Sequence, residues 1–364
     1  MTTEKIELKG LFPEELAQHV SDMGLERYRT KQLIDWLYNK GVTDFESMTN
    51  LSKETREKLV NEFNLLKLNV VGEIKSPAED TLKFLFELPD QRRVESVLMW
   101  HGRRRTLCVS SQVGCPLDCK FCATGRMGLI RNMTAAEIVE QVLYAQRLLR
   151  AQGDELTNVV MMGMGEPLLN FDQVIRAIRL MNLDYGAAIG IRRITLSTAG
   201  HVPGIERLAQ EGLKIGLAVS LNATTDAQRS QIMPINKKWP IDELLAAVKA
   251  YYDQIGRRVT FEYVLLHGLN DTAEDAHRLI DLLGNIPCKI NVIPWNPIDG
   301  MAYKRPPQPV IDQFIDILTQ ARLTATVRYS KGDDIAAGCG QLFQEIEQTT
   351  LQISDSPGEL KVAK

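Results

Sequence analysis

Long apolar runs are what this chain of 364 residues most plainly lacks. Its longest, such as Ile215–Leu221 with a glycine inside, falls well short of the roughly 20 apolar residues that a membrane span needs, so no membrane segment is expected. Cysteine is scarce too. Six in the whole chain are too few for a disulfide framework and suit a reducing compartment. Met1–Gly10 is charged and has no apolar h-region before a small-residue cleavage site, so a cytoplasmic location is expected. A surplus of one charge is also missing. The formal net charge of -3 argues against nucleic-acid binding by bulk electrostatics, although basic residues can still gather on one face. Arg103–Arg105 with Arg126 and Arg131 is one such gathering, whose default reading is solvated surface charge. What remains, 44% hydrophobic and 24% charged residues, describes a globular protein with ample core. At this length one large domain with an appendage is expected.

In chain order, residues 1–66 read as a helical module. Pro13-Glu-Glu-Leu opens one helix, Arg29–Lys40 has apolar positions at Leu33, Ile34 and Leu37, and Ser52-x-x-Thr starts a third. Residues 67–104 change to strand periodicity, with a turn at Leu88-Pro-Asp-Gln between Thr81–Leu88 and Arg93–Met99, and read as a hairpin that tethers the module. From 105 to 347 strands and helices alternate, which argues for parallel strands with crossover helices. Strands are placed near Thr106–Ser111, Asn158–Met162, Arg193–Ser197, Lys214–Ser220, Val259–Leu265 and Lys289–Ile293, with a seventh run at Thr324–Tyr329. The clearest helix is Thr134–Leu149, with Thr134 as N-cap and Glu137 completing a capping box. The fold class is therefore α/β, a partial (β/α)6 barrel with an N-terminal helical accessory domain. Its active site is expected in the loops at the C-terminal strand ends. Residues 348–364 read as a polar tail.

The chemistry starts from Cys115-Pro-Leu-Asp-Cys119-Lys-Phe-Cys122, directly after the first barrel strand. Three thiols cannot close a structural zinc site or an ordinary ferredoxin cluster, each of which takes four ligands, and no fourth Cys or His lies nearby. A [4Fe-4S] cluster on three thiolates keeps one iron open to bind and reduce a substrate. After the second strand comes Met161-Met-Gly163-Met-Gly165-Glu166-Pro167, whose glycines let backbone approach a ligand and whose Glu166 can accept from an ammonium; by sequence alone it is also just a turn. Ser197, Ser220 with Leu221 and Asn222, and Asn296 are placed at the same barrel end. Taken singly, each also reads as ordinary strand termination or turn chemistry.

The CxxxCxxC spacing resembles the signature of the radical S-adenosylmethionine (SAM) superfamily. Ser110-Ser-Gln-Val-Gly-Cys115, Phe121-Cys-Ala-Thr-Gly125, Arg131-Asn-Met-Thr134, Met164-Gly-Glu-Pro167, Met233-Pro-Ile-Asn-Lys237, Lys331-Gly-Asp-Asp-Ile335 and Cys339-Gly-Gln-Leu342 resemble the RlmN family of bacterial RNA adenosine carbon-2 methyltransferases. That resemblance runs through nearly the whole chain, and the joint presence of Cys108 and Cys339 is its most specific part. It implies Cys115, Cys119 and Cys122 as cluster ligands and Gly165, Glu166, Ser197, Ser220, Leu221, Asn222 and Asn296 as SAM contacts. It implies Cys339 as methyl carrier, Cys108 as resolving thiol and Glu95 as proton acceptor. Two positions depart from the family's pattern: Asn222 replaces the usual His, and Gly338 replaces the common Ala, a change expected to be mild.

By resemblance, the cofactors are one [4Fe-4S] cluster and two SAM per turnover. Cys339 takes a methyl from one SAM, and a radical from the second makes it reactive toward adenine. Attack by Cys108 on the Cys339 sulfur then releases methylated RNA and leaves a disulfide. The implied partners are ribosomal RNA, transfer RNA and a flavodoxin-like electron donor, with the chain acting as a monomer. Taken alone, Cys108 and Cys288 in apolar strands also read as core packing, and Glu95 as a solvated strand residue. Two alternatives stay open. The related carbon-8 adenosine methyltransferase shares both extra cysteines, and a non-catalytic iron-sulfur protein that binds RNA or senses redox state would share the cluster.

Overall fold

The computed structural model describes residues 5–78, 80–184 and 187–343; the expected tail at 348–364 lies outside them. In the N-terminal module, Pro13 sits in the first turn of α1 (Pro13–Asp22), where its missing N–H would have had no partner anyway. The expected Arg29–Lys40 helix is α2 (Tyr28–Ile34) followed by a π-turn at Asp35–Asn39. Ser52 caps α3 (Lys53–Glu62) by accepting from the Thr55 amide. The module also holds something unforeseen: Ile6–Glu7 pairs in parallel with Phe63–Asn64 and brings its two ends together.

That module is fastened to the barrel by a buried charge. Lys9 Nζ lies 2.6 Å from Glu140 Oε2 and 2.6 Å from the Leu66 carbonyl, and neither the Lys9 nor the Glu140 side chain reaches solvent. Arg147 supplies Glu140 with a second cation at 2.7 Å. Arg176 donates to the Gly10 carbonyl and pairs with Glu15, closing the same seam further along.

One sheet carries the rest. Its strands are β1 (Asn69–Lys75), β2 (Thr81–Glu87), β3 (Arg93–His101), β4 (Arg104–Cys108), β5 (Asn158–Met161), β6 (Ile194–Thr198), β7 (Gly216–Ser220), β8 (Val259–Leu265), β9 (Cys288–Pro294) and β10 (Ala325–Val327). They lie side by side in chain order, so each strand pairs with its predecessor. β1 to β4 form an antiparallel meander, and β4 to β10 are parallel. The hairpin read as a tether is thus an extension of the barrel's own sheet. β4 belongs to both halves, because it pairs antiparallel with β3 and parallel with β5.

Parallel neighbours need a crossover, and helices supply them. α4 (Ala135–Ala151) follows β4 and begins with the capping box that Thr134-x-x-Glu137 implies: the Glu137 amide donates to Thr134 Oγ1 at 3.2 Å, and the Thr134 amide to the Glu137 carboxylate at 2.9 Å. Ile138, Val142, Ala145 and Leu149 face the core and are buried. Then come α5 (Phe171–Met181), α6 (Val202–Gln210), α7 (Asp226–Ile232), α8 (Ile241–Ile255), α9 (Ala273–Leu283) and α10 (Gln308–Gln320). Because every strand from β4 onward runs the same way, the loops after them meet at one end of the barrel. Among the described residues no helix is long and apolar enough to cross a membrane.

Candidate active site

The loop carrying three cysteines hangs between the paired strands Gln112–Gly114 and Leu129–Asn132. Backbone bonds preset its shape: the Cys115 amide donates to the Gly128 carbonyl at 3.0 Å, Cys122 to Cys119 at 3.1 Å, and Lys120 to Ile232 at 2.9 Å. Cys115, Cys119 and Cys122 line one cavity of about 960 Å³, open at its mouth, together with Gly165, Glu166, Ser197, Ser220, Asn222, Asn296 and Cys339. Residues from five strand ends and from the segment after β10 therefore meet at one place.

Each lining residue is held for a local reason. Gly165 has φ +103°, and a Cβ there would come within 2.6 Å of Gln112 Cβ. The glycine is thus required first by the packing of its loop against the segment after β4. Glu166 is buried, and its carboxylate accepts from the Leu168 amide at 3.1 Å and the Ala199 amide at 2.7 Å. Burial pushes its carboxyl up to about 7 against those bonds, so a bound cation would favour the ionised form. Ser197, one residue before the end of β6, and Ser220, the last of β7, have hydroxyls with no protein partner among the described residues.

Asn222 adopts φ +58°, a left-handed conformation that Asn tolerates better than most residues. Its Oδ1 accepts from the Val264 amide at 2.8 Å, so the side chain is spent joining β7 to β8. Leu221, between Ser220 and Asn222, is fully buried outside the cavity lining; its amide donates to the Glu262 carbonyl, and its own carbonyl accepts from Arg229.

Arg229 itself was not foreseen. Fully buried, it donates to the carbonyls of Ala199, Ser220 and Leu221 and to Asn236, tying the loops after β6 and β7 together. Burial pulls it down to about 10, which leaves it charged at neutral pH. Only the Asn of Met233-Pro-Ile-Asn-Lys237 hinted at this bridge.

Cys339 is exposed on a clasped segment. Asn296 Nδ2 donates to the Cys339 carbonyl at 3.0 Å and to Ser330 Oγ at 2.8 Å, while its Oδ1 accepts from Arg305 at 3.1 Å. Gln341 accepts from the Gly338 amide at 2.8 Å and donates to the Pro297 carbonyl at 2.9 Å. Ala123, one residue past the last loop cysteine, donates to the Gly340 carbonyl at 2.7 Å. A Cβ on Gly338 would stand 2.7 Å from Gln341 Oε1 and 2.8 Å from Asn296 Nδ2, so in this arrangement the glycine leaves both anchors room that an Ala would crowd.

Cys108 ends β4 and lies outside this cavity, lining a neighbouring one that it shares with Cys339 and Arg328. Burial pushes its thiol up to about 12. Arg328, also unforeseen, is held in its charged form first by Cys339 and then by Glu262 and Cys108. All six cysteines are free thiols, so the expected disulfide is not formed in this structure.

Glu95 lines neither cavity: its carboxylate is buried, with one oxygen 3.1 Å from Lys83 Nζ and the other accepting from the Phe343 amide at 2.8 Å, so it is not the solvated strand residue that its position alone suggests.

A cluster fits this donor set. Among the described residues no three Cys, His, Asp or Glu side chains close on a single ion. In a cubane each thiolate takes its own iron, so three thiols spread around one cavity are the arrangement required. Burial raises all three thiols, which makes them poor thiolates until iron supplies the compensating charge.

Comparison with known proteins agrees with this geometry. Residues 109–283 match the radical SAM superfamily and residues 6–65 match the ribosomal RNA large subunit methyltransferase N-terminal domain. The chain is 45% identical to the dual-specificity RNA methyltransferase RlmN of Geobacter sulfurreducens over 98% of this chain and 99% of that protein. It is 46% identical to the probable RlmN of Thermotoga sp. strain RQ2 over 94% of this chain and 99% of that one. A crystal structure of a radical SAM methyltransferase from Sphaerobacter thermophilus superposes with a TM-score of 0.90 at 45% identity, covering 93% of this chain and 99% of that one. The chain belongs to the RlmN family of dual-specificity RNA methyltransferases, within the radical SAM superfamily.

Proposed function

We propose that this chain methylates carbon 2 of adenosine in ribosomal RNA and in transfer RNA, using Cys339 as the methyl carrier. The observation that carries this reading is the place of Cys339: it borders the cavity of the three loop cysteines on one side and that of Cys108 on the other. A bound [4Fe-4S] cluster with two SAM per turnover supplies the methyl group and a 5'-deoxyadenosyl radical.

The chain's own residues then divide the work. Cys115, Cys119 and Cys122 hold the cluster. Glu166 receives the SAM ammonium, and Ser197 and Ser220 offer it free hydroxyls. Gly165 keeps the loop after β5 seated, while Asn222 and Asn296 shape the wall rather than donate to ligand. Cys339 accepts the methyl on sulfur, and after attachment to adenine its sulfur is attacked by Cys108. That forms a Cys108–Cys339 disulfide and breaks the carbon–sulfur bond to RNA, and a reductant must reset it. Glu95 reaches a proton on adenine only when Phe343 and Lys83 release it.

The same reading has a monomer in the cytoplasm, reduced by a flavodoxin-like donor, with the helical module 1–66 beside a barrel that takes in 67–104 and runs to 347. The test uses anaerobically reconstituted protein with SAM, reductant and RNA, followed by nucleoside mass spectrometry. The expected products are 5'-deoxyadenosine and 2-methyladenosine. Finding 8-methyladenosine instead overturns the regiochemistry, and an assembled cluster that forms no 5'-deoxyadenosine overturns the enzyme.

A further inference from the structure

Of the five basic residues that stand out in sequence, Arg105 and Arg131 are neutralised. Arg131 pairs with Asp90 at 2.7 Å and with Glu137 at 2.8 Å, and Arg105 pairs with Asp154. A stronger cluster is assembled from residues scattered along the chain. Arg192, Lys214, Arg257, Arg258 and Lys289 surround an open cavity of about 1130 Å³ whose lining also includes Thr195, Thr260 and Gly216 and no carboxylate. Among the described residues none of these five cations has an acidic partner within salt-bridge distance.

The cluster sits at the end of the barrel opposite the active site. Arg192, Lys214, Arg257 with Arg258, and Lys289 lie at or just before the starts of β6, β7, β8 and β9, whereas the active-site residues lie at the ends of those strands. Thr195 stands two residues before Ser197, and Thr260 two before Glu262, which lines the active-site cavity. Alternate residues of a strand share a face, so the two cavities face the same barrel interior, roughly 7 Å apart along each strand.

The bland reading is that these cations complement the C-terminal ends of the crossover helices, which also point this way. Arg257 does so in kind, donating to the Lys214 and Arg192 carbonyls. The other four make no such bond among the described residues, and neither do the Thr195 and Thr260 hydroxyls on the floor. Strand register holds four mutually repelling cations around two free hydroxyl donors, in a chain whose net charge is -3.

We infer that this basal cavity is a binding site for phosphate groups, separate from the active site. Guanidinium forks from Arg192 and Arg258 match a phosphate's oxygens in pairs, the two lysines add point charge, and the threonines donate from below. The phosphates come either from the backbone of bound RNA or from a free polyphosphate.

The test uses the cluster-loaded full chain and the triple variant Lys214→Ala, Arg258→Ala, Lys289→Ala. Arg257 is left alone because it cross-links two loops. Titration calorimetry with inorganic tripolyphosphate and salt-dependent binding of bulk transfer RNA are compared between the two proteins. If RNA is the source, the variant binds it at least about tenfold more weakly near 0.15 M salt, and the slope of log K against log salt becomes shallower by about 2 to 3. If a free polyphosphate is the source, tripolyphosphate binding falls at least tenfold while RNA binding is unchanged. In both cases 5'-deoxyadenosine formation without RNA and the circular dichroism spectrum stay as in the parent. A second measurement needs no variant: tripolyphosphate or transfer RNA should shield Lys214 and Lys289 of the parent from acetylation while leaving Lys249, paired with Asp253, reactive. Unchanged binding of both probes with no shielding overturns the inference.

Discussion

Replacing Asn296 by Ala separates two roles that the structure sets against each other. The residue borders the SAM cavity, yet its amide is fully engaged by Ser330, Arg305 and the Cys339 carbonyl. Arg305 loses little in the variant, because it keeps the Trp295 carbonyl and Asp333. The Cys339 carbonyl and the Ser330 hydroxyl lose a donor inside a half-buried cluster. A buried polar group left unpaired costs about 1–3 kcal/mol. Taking about 2 kcal/mol as the bias lost from the clasped position, the ratio of clasped to unclasped protein falls roughly 30-fold, which sets the ceiling on the loss of correctly placed Cys339. The assay is the rate of methyl appearance on Cys339, followed by peptide mass spectrometry across SAM concentrations. The expected result is a maximal rate lowered by up to about 30-fold with KM for SAM little changed. Gln341→Ala, which removes the second anchor from outside the cavity, should reproduce it. A normal maximal rate with a raised KM in Asn296→Ala, and a normal Gln341→Ala, would refute the clasp and restore Asn296 as a ligand contact.

Cys115→Ala, Cys119→Ala or Cys122→Ala should each abolish the cluster's visible absorbance and SAM cleavage, whereas Cys339→Ala should keep the absorbance and carry no methyl; absorbance and peptide mass spectrometry read both. Cys108→Ala should stall as a covalent protein and RNA adduct that survives denaturant and disappears with RNase. In the parent, the Cys108 thiol sits near 12 because it is buried, so its thiolate fraction rises tenfold per pH unit below that value. RNA release in single turnover should accelerate with pH from 7 to 9 at close to that slope, and a flat profile would exclude Cys108 as the attacking thiol. Glu140→Gln strips the countercharge from a fully buried Lys9 and should cost about 3 kcal/mol in denaturant unfolding, with Lys9→Met added to it recovering much of the loss. An unchanged midpoint in the single variant would show that the seam does not depend on that pair.

Features decided within a few residues were legible in the sequence. The Thr134-x-x-Glu137 box, the Ser52 cap and the apolar strand runs each carry their cause locally, and the cysteine spacing fixes its own chemistry. What depended on distant partners was not. The meander β1 to β4 reads as a tether because nothing in residues 67–104 states that β4 will also pair with β5 across an intervening helix. Arg229, Arg328 and Glu262 look like surface charges until three or four elements close around them. Arg131 looks free until Asp90, 41 residues away in sequence, meets it. The basal cations were invisible for the same reason: each is a lone charge at the start of its strand, and only parallel register brings them to one place.

Glu95 shows how a residue singled out by resemblance can be held by partners that its own stretch of sequence does not announce. Its carboxylate joins Lys83 to the Phe343 amide, and Lys83 in turn donates to the Ala336 carbonyl at 3.3 Å. Ala336 and Phe343 bracket Cys339, so the pair grips the Cys339 segment from both sides. Burial raises the Glu95 carboxyl while Lys83 and the Phe343 amide oppose that rise. As long as the grip holds, the carboxylate is sealed from any substrate, and a base in this state would abstract nothing. The carrier segment cannot swing toward RNA without breaking those bonds, and breaking them is what uncovers the carboxylate. In the proposed cycle, motion of Cys339 and exposure of Glu95 are therefore one event, which would time proton removal to the moment when Cys339 has left its seat.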